Sequence, residues 1–307
     1  MDTKLCEYVI AICELGSVAA AADSLYLTQS ALNQQLHKLE QELGTPLFVR
    51  VRNHWVPTEA GQLYIENARK MVEIKRETYS KINDLAKYWN SRIRIGLTNE
   101  RGMEMFADIY GELHRRFPDT VFQPIDATVE QQNQMLETRQ IDISFQTIQE
   151  HRYKAFRYQV LMEEPFILCI PSTHPLASLG AIQDMALPTI SLREFEHESF
   201  AVVKKTSTMR AIVDALFARA GFVPHILLES AGMRAMWKLT ATGQCCCIIP
   251  RYYAVPDPRI SCFLLGNDAK WEVVAVTRSD HYLSAAAKGV IELASAYWQT
   301  HLYSSGS

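Results

Sequence analysis

The chain has 307 residues, of which 48% are hydrophobic, and a formal net charge of −3 with both signs interspersed. That length favours two or three domains, and no run approaches the roughly 18 to 20 apolar residues of a membrane span, which excludes a transmembrane helix. Seven cysteines (Cys6, Cys13, Cys169, Cys245, Cys246, Cys247, Cys262) are an odd number without metal-ligand spacing, so no disulfide framework and no metal site is implied.

The N-terminus carries Asp2, Glu7 and Glu14 and lacks the basic start and cleavage site of a signal peptide, so it reads as the first helix of a cytoplasmic protein. Over Thr3 to Leu15, the residues Leu5, Val9 and Ile12 share one helical face, and Gly16 supplies the stop. Ser17 can cap a second helix whose Ala19 to Ala22 let a neighbour approach closely, with Leu25 filling the core. After the turn Tyr26-Leu27, Thr28 caps a third helix with an inward stripe of Ala31, Leu32, Leu36, Leu39 and Leu43, ended by Gly44.

The outward side chains of the third helix, Gln29, Ser30, Asn33 and Gln34, are uncharged and short enough to reach base edges, where Gln and Asn pair bidentately with adenine. Residues 1 to 60 hold seven Asp or Glu against four Lys or Arg, so bulk charge argues against nucleic acid. Position argues for it: Lys38 lies one turn along, and Arg50 and Arg52 follow the Leu47-Phe48 strand, placed to meet phosphates.

Helical spacing alone favours a plain three-helix bundle with a solvated polar face. However, Gly16-Ser17, Ala21-Ala22, Leu25, Thr28-Gln29-Ser30-Ala31-Leu32, Gln35-Leu36, Leu39-Glu40, Leu43-Gly44, Pro46-Leu47-Phe48, Arg50 and Thr58-Glu59-Ala60-Gly61 together resemble the N-terminal signature of LysR-type transcriptional regulators. Asn33 stands where that family usually has serine, and Pro57 where it has leucine. The resemblance implies a winged helix-turn-helix over 1–58, a linker and dimerisation helix over 59–90, and an effector domain over 91–307 like a type 2 periplasmic binding protein. Lobe I would span about 91–161 and 267–303, and lobe II about 162–266. It also implies a regulator rather than an enzyme, working as a homodimer or tetramer, with duplex DNA, a small-molecule effector and RNA polymerase as partners and no cofactor. Its DNA contacts would come from Ser17, Thr28, Gln29, Ser30, Asn33, Gln34, Lys38, Arg50 and Arg52.

From Glu59 to about Trp89, the residues Ile65, Ala68, Val72, Lys75, Tyr79, Ile82 and Ala86 recur at spacings of three and four, a coiled-coil seam broken at Lys75. A lone helix this long needs a partner, most simply its own copy in a second chain, with Ile65, Ala68, Val72, Tyr79 and Ile82 at the contact. The alternative is that the stripe packs on the chain's own C-terminal domain.

Beyond the linker, strands at Arg92–Thr98, Val121–Ala127, Ile141–Gln146, Pro165–Pro171, His225–Glu229, Cys245–Pro250 and Trp271–Thr277 alternate with helices at Met103–Phe117, Val129–Gln140, Thr208–Ala220, Met233–Thr242 and Leu283–Trp298. This predicts an α/β class with largely parallel sheet in two lobes. Ligands in such sheets sit beyond the strands' carboxyl ends, which nominates Thr98, Asn99, Arg101, Thr128, Phe145, Gln146, Lys204, Thr206 and Ser207 for the effector. Lys204 and Lys205 before the helix containing Arg210 suggest an anion, a small carboxylate or phosphate; the alternative is a solvated lysine pair. Cys245-Cys246-Cys247 reads as strand packing, and Glu194, Glu196, His197 and Glu198 as a solvated loop. No phosphate loop, nucleophile elbow or zinc-protease motif occurs.

Overall fold

In the computed structural model, residues 2–52, 54–86, 92–98, 100–182, 186–205, 207–230, 232–266 and 268–303 are described. Capping residues delimit the N-terminal helices. Helix α1 (Lys4–Leu15) ends at Gly16, whose φ of 60° is left-handed and open to glycine without steric cost. Helix α2 (Val18–Ser24) starts on Ser17, whose hydroxyl accepts from Ala20 N, and α3 (Gln29–Leu43) on Thr28, which accepts from Ala31 N. Val9, Ile12, Val18, Ala21, Ala22, Leu32, Leu36 and Leu39 form their shared core. Leu5 is only half-buried and Leu43 is exposed, whereas Cys6 is buried in their stead.

Strands β1 (Phe48–Val51) and β2 (His54–Pro57) pair as an antiparallel hairpin, which is the wing. Two contacts fix it to the helices: Glu40 Oε1 accepts from Leu47 N at 2.7 Å, and Trp55 N donates to Gly16 O at 2.9 Å. Thr58 then donates to Pro46 O and accepts from Gly61 N. A Cβ at Gly61 would lie 1.9 Å from Leu47 O, so only glycine lets the next helix start against the wing.

That helix, α4 (Glu59–Ala86), corrects the predicted seam. Ile65 and Ala68 are buried within the chain, Ile65 inside the core of the N-terminal helical unit, and Val72 is half-buried. Trp89 lies outside the described residues. The apolar side chains that α4 exposes are Leu63, Met71, Ile74, Tyr79, Ile82 and Leu85, a stripe that keeps Tyr79 and Ile82 of the expected seam but not Ile65, Ala68 or Val72. The inward face was miscounted because α4 serves two surfaces: α1 packs on one side, which the periodicity could not distinguish from a partner chain.

The remaining chain forms a nine-stranded sheet in the order β4-β3-β5-β11-β6-β9-β7-β8, with β10 on β6. The strands are β3 (Arg92–Leu97), β4 (Val121–Asp126), β5 (Ile143–Ile148), β6 (Phe156–Pro171), β7 (Ser199–Val203), β8 (His225–Ser230), β9 (Cys246–Pro250), β10 (Ile260–Leu264) and β11 (Lys270–Arg278). The sheet is mixed rather than largely parallel: β11 runs antiparallel to both β5 and β6, and β6 antiparallel to β9. Strand β6 is far longer than predicted and serves both lobes, its first part pairing β11 and its last part β9 and β10. Helices α5 (Arg101–Arg116), α6 (Val129–Glu137) and α9 (Ala285–Tyr303) cover lobe I; α7 (Thr208–Ala220) and α8 (Met233–Thr240) cover lobe II.

Charge, not apolar packing, joins α4 to lobe I. Arg76 pairs with Glu73 and Asp142, Arg278 Nη2 reaches Glu73 at 3.3 Å, and His281 Nδ1 lies 2.9 Å from Glu73 and 3.2 Å from Glu77. Among the described residues, Glu73, Glu77 and His281 are the one trio of metal-ligand types drawn together, but Arg76 and Arg278 already meet its charge. Burial alone would raise the Glu73 carboxyl, yet the hydrogen bond to His281 and the charges of Arg76, His281 and Arg278 hold it at about 2. A carboxylate depressed in the folded state stabilises above its unfolded value of 4.5 and loses that contribution as pH falls towards 2. Denaturant titrations across that window should therefore show a loss of about 3 kcal/mol that Glu73→Gln abolishes.

Candidate nucleic-acid interface and effector cleft

The side chains nominated for DNA lie on the surface of α3 and the wing. Gln29, Ser30, Asn33, Gln34 and Lys38 are all exposed along α3, and Arg50 and Arg52 are exposed on the wing. A groove of about 400 Å³, lined by Asn33, Gln34, His37, Glu40 and Trp55, separates α3 from β2. The hydroxyls of Ser17 and Thr28 are committed to their helix caps, so these two residues shape the interface more than they read it. Arg52 turns the wing at φ 46°. Tyr26, passed over in the sequence as a turn residue, is 97% exposed at φ 55°, three positions before Gln29. A phenol held out in a conformation that bulky residues avoid is a candidate phosphate donor, and no local pattern signals it.

The strand directions create the second site. Strand β3 is parallel to β5, β5 and β6 are both antiparallel to β11, and β7 is parallel to β9, which opposes β6. Strands β3 and β7 therefore run in opposite senses along β6, and their carboxyl ends meet where the lobes join. Helices α5 and α7 begin there. Neither has a side-chain cap, unlike α2, α3 and α6, so no capping side chain takes up their first N–H groups.

Several nominated cleft residues are used elsewhere. Arg101 is 4% exposed: its Nη1 donates to Glu164 Oε2 at 2.8 Å, and its guanidinium lies 4.7 Å from the Tyr252 ring and 4.8 Å from that of Trp298, with Tyr253 and Trp271 beyond. Those rings leave no open face, so Arg101 ties α5 to β6 instead of meeting ligand. Phe145 is core, and Gln146 is buried, donating to Asn133 and Ser144; β5 runs on to Ile148, so both lie inside the sheet and not at its end. Thr128 is spent in a reciprocal cap with Gln131. Thr98 is half-buried and Ser207 caps α7 by position alone, while Asn99 and Thr206 lie outside the described residues. Lys204 and Lys205 are exposed, but Arg210 is buried against Asp214, Glu229 and Val203 O.

No local pattern foreshadows what spans the cleft. Arg234 of α8 donates from Nε to Glu100 at 3.1 Å and from Nη2 to Glu104 at 3.0 Å, joining lobe II to lobe I. Tyr252 OH donates to the same Glu104 at 2.6 Å; burial, then this bond, raises the phenol's pKa. The cysteines behave as packing. Cys262, Cys169 and Cys247 sit side by side on β10, β6 and β9, all buried, and burial pushes the Cys169 thiol far up, away from the reactive thiolate.

Residues 3–62 match the family model of bacterial regulatory helix-turn-helix proteins of the lysR family, and residues 86–299 match the LysR substrate binding domain. Among curated proteins, the chain is 26% identical to the HTH-type transcriptional regulator BudR of Raoultella terrigena, over 59% of this chain and 63% of that protein. It is 24% identical to the uncharacterized HTH-type transcriptional regulator YwbI of Bacillus subtilis, over 97% of each. Its fold is similar to full-length OxyR from Pseudomonas aeruginosa (TM-score 0.70, 19% identity, 100% of this chain and 96% of that one). It is also similar to full-length CbnR in complex with its target DNA (TM-score 0.57, 19% identity, 98% and 100%).

Proposed function

This chain belongs to the LysR family of DNA-binding transcriptional regulators, which are not enzymes, and from that premise we propose how its parts act. Residues 1–58 bind operator DNA through α3 and the wing, 59–90 pair two chains, and 91–307 bind a small anionic effector between the lobes. Gln29, Asn33 and Gln34 read bases; Lys38, Arg50, Arg52 and Tyr26 meet phosphates. Chains pair through the exposed α4 stripe of Leu63, Met71, Ile74, Ile82 and Leu85, which presents two reading faces to spaced half-sites near a promoter. The setting is the cytoplasm, with RNA polymerase as the responding partner. No helix among the described residues is long and apolar enough to cross a membrane.

The observation that carries the effector reading is Arg234 reaching from lobe II to the uncapped N-terminus of α5 where the lobes join, with α7 starting, also uncapped, after the exposed Lys204 and Lys205. Calorimetry with a panel of small carboxylates, phosphates, amines and neutral analogues tests it. Anions should bind, and binding by amines or neutral compounds alone would defeat it.

For the DNA face, Gln29→Ala should cost about 1 to 3 kcal/mol on the cognate site only, whereas Arg52→Ala should weaken all sequences and flatten the salt dependence. Binding titrations on cognate and random duplexes check this, and equal losses for Gln29→Ala on both would show that it reads no base.

A further inference from the structure

The ion pairs across the cleft are made by the wrong partners for a permanent structure. Side chains of Arg234, Glu100 and Glu104 are 47%, 35% and 43% exposed, so each pair is screened and adds little to stability. Glu100 is also held at φ 65° and ψ −91°, a strained backbone for a residue with a side chain, at the uncapped start of α5. A costly conformation is thus maintained where the resulting contact is weak. The two sides of the clasp are also unlike in charge: lobe II contributes Arg234, while lobe I contributes Glu100 and Glu104, with Glu164 already consumed by Arg101 and Glu229 by Arg210.

We propose that Arg234 is the effector-reading cation, and that Glu100 and Glu104 occupy its guanidinium as built-in stand-ins for the two carboxylates of a small dicarboxylate effector. The inference rests on the anionic-effector reading and narrows it to a class. One planar guanidinium donates to two separate carboxylates, Nε to one and Nη2 to the other, which is the pattern that two acidic groups on a single ligand would reproduce. When the ligand takes Arg234, Glu100 and Glu104 return to water, which their exposure permits, and Glu104 keeps its hydrogen bond from Tyr252. The clasp between the lobes is then replaced by a ligand-filled cleft, so the lobes change their relation and α5 is freed at its first turn. Binding must displace an internal competitor, so affinity is reduced by the fraction of molecules already clasped.

That competition gives the test its sign. Full-length protein is titrated calorimetrically with malonate, succinate, glutarate and adipate, with acetate and butyrate as monocarboxylate controls. The double variant Glu100→Gln/Glu104→Gln should bind the best dicarboxylate about tenfold more tightly than the parent, since two exposed ion pairs no longer compete. Arg234→Gln should lose binding, and Arg234→Lys should keep only a weak preference because it lacks the fork. If carboxylates bind but the double variant binds no tighter, or Arg234→Gln binds as the parent does, the clasp proposal is overturned while the anionic reading stands. If no carboxylate binds either protein, the clasp proposal is overturned, and inorganic phosphate in the same titration decides whether the anionic reading falls with it.

Discussion

Ile74→Glu combined with Ile82→Glu should convert the protein to a monomer and reduce operator affinity by about 10² to 10⁴, without unfolding it. Both side chains are more than half exposed on α4, at 56% and 54%, in a row with Met71 at 50% and Leu85 at 86%. An apolar row of this length is unfavourable in water, and nothing on the chain's own surface covers it among the described residues. Four carboxylates facing one another across a two-fold seam would repel, and each reading unit would then bind alone. That unit is poorly equipped to do so, because the cations at its face are Lys38, Arg50 and Arg52 in a segment whose balance is acidic. Sedimentation analysis and binding titrations on one-site and two-site duplexes separate the effects. The monomer should bind both duplexes equally, and full affinity of a monomeric variant for the two-site duplex would sink the idea. Ile65→Glu is the contrasting case: it places a charge in the core shared with Val9, Ile12 and Leu36, and should cost the unit its fold.

That contrast marks how far the sequence was legible. The DNA-reading unit was readable almost residue by residue because its signals are local: Ser17 and Thr28 cap the helices they precede, Gly16 closes the first, and the polar face of α3 is set by helical period. In α4 the same periodicity misassigned Ile65 and Ala68, since a stripe records that a face is buried and not what buries it. Strand β7 was missed because SFAVV is a short apolar run, and β6 was cut short because its first half alternates weakly. At the cleft, ranking residues by position after a strand nominated Arg101 and Gln146, but contact there depends on long-range packing. Arg101 meets Glu164, Tyr252, Trp271 and Trp298, and Arg234 meets Glu100 and Glu104, pairs separated by up to 197 positions that only the closed sheet brings together.

Removing either member of the buried pair should be among the most damaging single changes in the effector domain: Glu164→Gln and Arg101→Met are each expected to cost about 3 to 5 kcal/mol. Glu164 is 1% exposed and accepts three bonds, from Arg101 Nη1, from Trp271 Nε1 and from Tyr252 N at 2.9 Å. Burial disfavours the charge on Arg101, but Glu164, followed by the two tyrosines, more than restores it, so the guanidinium stays charged and is left uncompensated when Glu164 goes. The aromatic faces around it soften this loss without cancelling it, because a ring offers a quadrupole where a carboxylate offers a full charge. The double variant Arg101→Met/Glu164→Leu removes both charges and should recover much of the loss, as apolar replacements of buried pairs do. Urea unfolding followed by tryptophan fluorescence reads all three, with Trp271 and Trp298 against the pair as reporters. A double variant as unstable as the worse single would mean that the pair acts through shape and hydrogen bonds. Recovery would mean that its charge is retained for position: it fixes the first turn of α5, and with it Glu100 and Glu104, against β6, the strand that the two lobes share.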